Sequence, residues 1–280
     1  MAGERVPFPC DRIVPLPPGK PMFSGVFRDG FVMFFSRLRK PAAQPARYRV
    51  PDGVKLYAVG DVHGRYDLLQ RLLDLVAEDR AASGEGDMVF LGDYIDRGTD
   101  SRRVIETLSA GQAEQGWICL KGNHEAMMLD VLDNERPWDA WLANGGVETL
   151  FSYGISPRDY IVARRFDELR EAALAALPPH HLAFLRGLAF SHRVGDYFFC
   201  HAGIRPGVPL DQQDSDDLLW IRDAFINSGA FHEGRVVHGH TPAMEPEILP
   251  NRINVDTGAY LTNRLACAVI EADRVRIIHT

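Results

Sequence analysis

Three short apolar runs in the first half of the chain each stop at, or one residue before, a glycine that leads straight into polar side chains. The runs at 54–59, 88–91 and 117–120 lead into GDVHG at 60–64, GDYIDRG at 92–98 and GNHE at 122–125. Between the first two, Leu68, Leu69, Leu72, Leu73, Leu75 and Val76 form the apolar stripe of a helix predicted over 65–80. A second helix is predicted over 101–110. Strands alternating with helices point to an α/β fold with a parallel sheet. In such sheets the ligand site lies beyond the C-terminal strand ends, where glycine permits sharp turns and close backbone approach. The pattern recurs after a mostly helical stretch at 124–188. Strands predicted at 197–200 and 236–237 run into His201, Ala202, Gly203 and into His238, Gly239, His240, Thr241. Further strands are expected at 253–255, 265–270 and 275–278.

The side chains gathered at these strand ends are Asp61, His63, Asp93, Asn123, His201 and His240. They are oxygen and imidazole donors with no thiolate, a mixture that suits Mn²⁺, Fe or Zn²⁺. Six donors exceed one tetrahedral ion and fit two ions sharing a bridging carboxylate. A metal pair about 3.5–4 Å apart is a clamp for phosphate ester hydrolysis. Each fragment alone is weak, because Gly-Asp is common turn material; five of them, in order and each at a strand end, imply one assembled site.

Composition narrows the class. With 31 Lys+Arg against 38 Asp+Glu the net charge is −7, which argues against a general nucleic-acid binder. No apolar run is long enough to span a membrane, and residues 1–18 carry prolines and charges where a signal peptide needs an unbroken apolar stretch. Cys10, Cys119, Cys200 and Cys267 are widely spaced, which suggests a reducing compartment and a cytoplasmic location. The charge is uneven: residues 1–50 balance to +6 and hold eight of the eighteen prolines. That segment reads as a basic N-terminal extension, followed by a catalytic domain at 51–280 with a helical insertion at about 124–190. Phe23, Phe27, Phe31, Phe34, Phe35 and Leu38 fall on one stripe of the extension, expected to pack on the chain's own domain or on a second subunit. A membrane-surface anchor ending in Arg37, Arg39 and Lys40, or a substrate-docking arm, are the other readings of it.

GDVHG, GDYIDRG, GNHE, HAG and HGHT resemble the signature blocks of the calcineurin-like metallophosphoesterases. The resemblance is to the phosphoprotein phosphatase branch of serine/threonine phosphatases, in its lambda phosphatase-like bacterial and phage group. It extends to GNHEAMMLD, WLANGG, LWIRD and NVDTGA and covers roughly residues 54–272. It implies a four-layer α/β/β/α sandwich with a di-metal site at the sheet edge. Carried onto this chain, Asp61, His63 and the bridging Asp93 would hold one ion, and Asp93, Asn123, His201 and His240 the other. His124 would be the general acid with Asp96 as its carboxylate partner, while Arg97 and Arg222 would grip phosphate oxygens. The implied activity is a metal-dependent phosphoprotein phosphatase acting on a phosphoprotein or phosphopeptide by in-line attack of a metal-bridging hydroxide. The implied cofactors are two divalent ions, Mn²⁺ by analogy with the bacterial relatives, with Fe or Zn²⁺ compatible. The alternative is a dinucleoside tetraphosphate hydrolase, a group that typically lacks the Asp of the DRG triplet and reads GNHD at the third block; this chain has Asp96 and Glu125. Where other phosphoesterases of the superfamily carry a further histidine two residues after the position of His240, this chain has Pro242, as in the phosphatase branch. His238 reads as a residue orienting a metal ligand or as a structural one. His180, His181, His192, His232 and His279 carry no motif and read as structural.

Overall fold

The computed structural model describes residues 48–280; the phenylalanine stripe and Cys10 lie outside them. The chain runs β1 (Lys55–Val59), α1 (Tyr66–Ser83), β2 (Asp87–Phe90), α2 (Ser101–Gln115), β3 (Ile118–Cys119) and α3 (Asn123–Leu132). A helical stretch follows: α4 (Trp138–Trp141), a π-helical turn (Leu142–Gly146), α5 (Val147–Ser152), α6 (Arg158–Val162), α7 (Phe166–Ala176) and α8 (Pro179–Gly187). Then come β4 (Ser191–Val194), β5 (Tyr197–Cys200), α9 (Ser215–Trp220), α10 (Asp223–Ile226), β6 (Arg235–His238), β7 (Glu247–Ile248), β8 (Arg252–Asn254), α11 (Ala259–Thr262), β9 (Ala266–Glu271) and β10 (Arg274–His279).

The strands form two five-stranded sheets, ordered β10-β9-β1-β2-β3 and β4-β5-β6-β8-β7. β1, β2 and β3 are parallel in the first, and β5, β6 and β8 in the second. Period-two alternation along the strands sorts side chains into layers. Leu56 and Ala58 of β1 and Val89 of β2 meet Tyr197, Phe199, Val237 and Ile253 between the sheets. Tyr57, Val59, Met88 and Phe90 face outward onto Leu69 and Leu72 of α1, Ile105 and Leu108 of α2, and Leu185 of α8. Phe198, Cys200 and Val236 face the other way, onto Leu218, Ile221 and Phe225. Helices, sheet, sheet and helices thus form the four layers expected.

The parallel strands of both sheets deliver their following loops to one place. Val62 and His63, after β1, donate their N–H groups to the Asp93 carbonyl after β2 at 3.0 and 2.9 Å. The loop after β2 touches the one after β3 backbone to backbone: at Gly92 (φ 104°) an added Cβ would lie 2.6 Å from the Gly122 nitrogen. Across the second sheet, Gly239 N donates to His201 O at 2.8 Å, and Val255 N to His238 O at 3.0 Å.

Two differences from the sequence reading are local. The second helix continues past residue 110 to Gln115, and Gly111, lacking a Cβ, leaves room there for the Trp117 ring to pack directly on it. β4 and β7 carry no apolar run; each is an edge strand held by antiparallel pairing to a buried neighbour. The cysteines Cys119, Cys200 and Cys267 are free and buried.

Asp79 fixes α1 to the first sheet. It accepts from the Tyr57 hydroxyl of β1 at 2.7 Å and from Arg276 of β10 at 2.6 Å. Burial works against its charge, but Arg276 and Tyr57 outweigh it and hold the carboxyl below its ordinary value. A depressed native value stabilises above the unfolded-state value and is lost as pH falls through the native one. Asp79→Asn is therefore expected to lower stability at neutral pH by about 1 kcal/mol. Denaturant unfolding of both forms should converge as the pH is brought into the acid range.

Candidate metal centre

The six expected donors sit on loops from both sheets, and all of them are buried. After β1 come Asp61 and His63, after β2 Asp93, and at the start of α3 Asn123; after β5 comes His201, and after β6 His240. Two sets of donor atoms, His63–Asp93–His124 and Asp93–His201–His240, lie within 4.8 Å of one another. Asp93 belongs to both. One of its oxygens is 3.3 Å from His201 Nε2 and the other is 3.5 Å from His63 Nε2. Asn123 Oδ1 stands 2.8 Å from both His201 Nε2 and His240 Nδ1. Asp61 accepts the His240 backbone N–H at 3.1 Å, which ties the first sheet to the second.

The backbone at the site is unusual. Among the described residues, nine non-glycine positions have positive φ, and five of them are here: His63, Asp93, Asp96, Arg97 and His240. Left-handed backbone in non-glycine residues is uncommon and clusters at functional sites.

The donors fit divalent metal. His63 Nδ1 donates to the Ile95 carbonyl at 2.9 Å and His201 Nδ1 to the Leu91 carbonyl at 3.0 Å. Each bond fixes the tautomer and leaves Nε2 facing the cluster with its lone pair, as metal-ligating imidazoles are usually held. Burial drives His63 down to about 3 and His240, helped by His201, down to about 2, so both are neutral near pH 7. His240 Nε2 is buried without a hydrogen-bond partner, and so is one oxygen of Asp256. Burial and the charges of Asp256 and Asp93 push the Asp61 carboxyl well up. Asp93 goes the other way: burial opposes its charge, but His201 and His124 hold it well down. Buried carboxylates this close want a positive partner.

Beside this cluster lies a second arrangement. His124 Nδ1 is 2.7 Å from Asp96 Oδ2. Asp96 also accepts from Trp141 Nε1 at 2.9 Å and from the Thr149 hydroxyl at 2.6 Å, and it is fully buried. Burial disfavours the charged His124 ring, but Asp93 and Asp96 outweigh it and raise the imidazole above its ordinary value. Arg97 reaches both sets, with Nη1 3.0 Å from His63 Nε2 and Nη2 3.1 Å from His124 Nε2. Its guanidinium lies over the Tyr260 ring at 4.4 Å. Arg222 is exposed and donates to the His240 carbonyl at 3.2 Å. His238 is structural in its contacts: it is buried, with Nδ1 3.0 Å from the Gly239 carbonyl and its ring edge-on to Phe225.

Several residues here were not reached from the sequence. Asp256 follows β8, the third parallel strand of the second sheet. The same rule that found the other segments, a strand stop followed by polar residues and a glycine, applies to Asp256, Thr257 and Gly258. Glu125 gathers four backbone N–H groups, from Asp93 (2.9 Å), Tyr94 (2.7 Å), Ile95 (3.3 Å) and Gly122 (2.9 Å). Gly145, at φ 105°, lets the π-helical turn press on the DRG loop, where an added Cβ would lie 2.5 Å from the Arg97 nitrogen. Trp141 was taken only as part of the WLANGG resemblance, and Thr149 and Tyr260 had no sequence signal, since what matters is the contact each makes across the fold.

Comparison with known proteins agrees with this architecture. The model of the family described as calcineurin-like phosphoesterase matches residues 54–275. Serine/threonine-protein phosphatase 2 of Salmonella typhimurium is 27% identical over 220 residues, 75% of this chain and 90% of that protein. The asymmetrical bis(5'-nucleosyl)-tetraphosphatase of Oceanobacillus iheyensis is 26% identical over 234 residues, 76% of this chain and 87% of that one. The crystal structure of a point mutant of a cold-active protein tyrosine phosphatase superposes with a TM-score of 0.51 at 22% identity, covering 82% of this chain and 80% of that one. At that identity the likeness bears on the fold alone.

If these donors take up metal, divalent ions should stabilise the native chain. At a free concentration about one hundred times the dissociation constant the gain is about 2.7 kcal/mol. Thermal melts with Mn²⁺ and with chelator should show it, and Asp93→Ala or Asn123→Ala should abolish it. The gain should shrink as pH falls, because protons compete for the same imidazoles and carboxylates.

Proposed function

The chain belongs to the calcineurin-like phosphoesterases, and we propose that within that family it is a serine/threonine protein phosphatase. Asp61, His63 and Asp93 would hold one ion and Asp93, Asn123, His201 and His240 the other, with Mn²⁺ as the native metal. When bound, the ions supply Lewis-acid charge beside the phosphoryl group and a water acidified toward a pKa of about 7.

The chain's own residues account for the rest. In the geometry described, Arg97 donates to the two imidazole nitrogens of His63 and His124. A phosphate dianion is a stronger acceptor and takes two guanidinium hydrogen bonds at once. With His63 Nε2 taken by the ion, Arg97 would turn from His124 to the phosphate, and exposed Arg222 would supply a second phosphate contact. Released, His124 Nε2 can carry a proton while Nδ1 stays on Asp96, and that proton goes to the departing oxygen. Trp141 and Thr149 keep Asp96 from turning away.

The observation that carries this reading is the His124–Asp96 pair at 2.7 Å. A serine or threonine ester leaves as a strongly basic alkoxide and needs an acid, whereas the phosphate leaving group of a nucleoside polyphosphate needs one far less. The nucleotide reading remains the second one, because a bis(5'-nucleosyl)-tetraphosphatase matches at nearly the same identity over a similar span.

His124→Asn is expected to lower kcat/KM on a phosphoserine peptide by about 10²–10⁴-fold. The loss on nitrophenyl phosphate, whose leaving group needs little protonation, should be much smaller. Full activity of that variant on phosphoserine would refute the acid assignment. Assays of the wild type on phosphopeptides and on diadenosine tetraphosphate, with Mn²⁺, Zn²⁺ and chelator, choose between the two substrate classes; preference for the nucleotide would overturn the phosphatase reading.

A further inference from the structure

Two histidines that read as structural in the sequence meet a glutamate from another helix. Glu106 lies on α2; His180 and His181 lie in the first turn of α8. Adjacent helical residues point about 100° apart and rarely share a partner, yet both rings reach one oxygen. Glu106 Oε2 is 2.8 Å from His181 Nε2 and 3.3 Å from His180 Nε2. The three donor atoms lie within 4.8 Å of one another. We infer that Glu106, His180 and His181 form a second, surface metal site, of the kind that takes Zn²⁺, separate from the cluster at the strand ends.

Three observations support it. The spacing is near what the ion needs: zinc bonds of about 2.0–2.1 Å in a tetrahedron put neighbouring ligand atoms about 3.4 Å apart, as His180 stands from Glu106 at 3.3 Å, and the 2.8 Å hydrogen bond of His181 would open by about half an ångström. His181 is also held as a ligand would be. Its ring is fully buried, and Nδ1 sits 2.9 Å from the Tyr153 hydroxyl. Burial pushes the Tyr153 phenol up, so it stays protonated, and its oxygen can accept the Nδ1 proton. In the geometry described Nε2–H donates to Glu106; metal would take that nitrogen as the proton moves to Nδ1, where Tyr153 is the outer partner common around ligating histidines. Burial also lowers His181, which keeps the ring neutral near pH 7, while Glu106 is held ionised chiefly by His181 itself. Finally, the cluster opens to solvent. Glu106 and His180 are exposed and line a cavity of about 460 Å³ with Ala183 and Phe184, so water can complete the coordination.

The donor set, two imidazoles and one carboxylate, matches zinc better than the oxygen-loving Mg²⁺ or Ca²⁺. The nearby Arg102 charge opposes a cation at His181 and is offset by Glu106. Bound metal would clip α2 to α8. Because α2 starts at Ser101, whose hydroxyl accepts the Asp96 N–H at 3.1 Å, the clip would brace the helix beside the His124 partner. The inference does not depend on how the main cluster works.

The test counts zinc. The full chain, His180→Ala and Glu106→Gln are equilibrated at the same buffered free Zn²⁺, and bound metal is measured by plasma mass spectrometry. The wild type is expected to hold one more zinc per chain than either variant, and zinc should raise its melting temperature further. Hydrolysis of nitrophenyl phosphate with Mn²⁺ should be unchanged in both. Reading the difference between proteins keeps the result clear even if the main cluster binds nothing. Equal zinc counts in all three would overturn the site, as would variants whose loss of stability is the same with and without zinc, the mark of a plain ion pair.

Discussion

Four backbone N–H groups converge on the carboxylate of Glu125, and the geometry of the centre depends on them. Three come from consecutive residues after β2 and the fourth from the residue before α3. The loop after β2 must pass through left-handed backbone at Asp93, Asp96 and Arg97. Such conformations are disfavoured by about 1–3 kcal/mol each and persist only where the surroundings over-determine them. A buried acceptor that collects the amides of Asp93, Tyr94 and Ile95 does this. It fixes where the Asp93 carboxylate, the Asp96 carboxylate and the Arg97 guanidinium project, and it docks the same loop on the start of α3, which carries Asn123 and His124.

Charge then divides the site into two parts with different needs. Asp61, Asp93 and Asp256 are buried together, the charge of Asp93 raises the other two, and their partners in the protein are chiefly imidazoles and amide N–H groups. Buried negative charge of this kind calls for cations from outside the chain. The His124–Asp96 pair is balanced internally, with Trp141 and Thr149 filling the remaining acceptor capacity of the carboxylate. One part is a cluster of donors that could receive metal, the other a hydrogen-bonded imidazole–carboxylate pair, and Arg97 lies across both.

Much of this was legible in the chain itself, because the information was local. A parallel strand that ends at glycine and polar residues declares both the strand and the end of the sheet at which its loop emerges, and β1, β2, β5 and β6 did so. The same signal at Asp256 was present and was taken only as part of a resemblance. The pairing of His124 with Asp96 spans 28 residues and was reached only through the family likeness. Thr149, Trp141 and Tyr260 act through contacts that no neighbour in sequence announces. Glu106 and His181 are 75 positions apart, so neither the helical period nor a motif could bring them together. β4 and β7 escaped because edge strands need no apolar run.

The seam between the sheets has a practical corollary. Asp61, His63, Asp93 and Asn123 come from chain that precedes the helical stretch, and His201, His240 and Asp256 from chain that follows it. A polypeptide divided within that stretch would yield two fragments, each with an incomplete donor set and neither able to turn over substrate. Colourless fragments that give a coloured product only once reunited would make this scaffold a reporter of molecular reassembly.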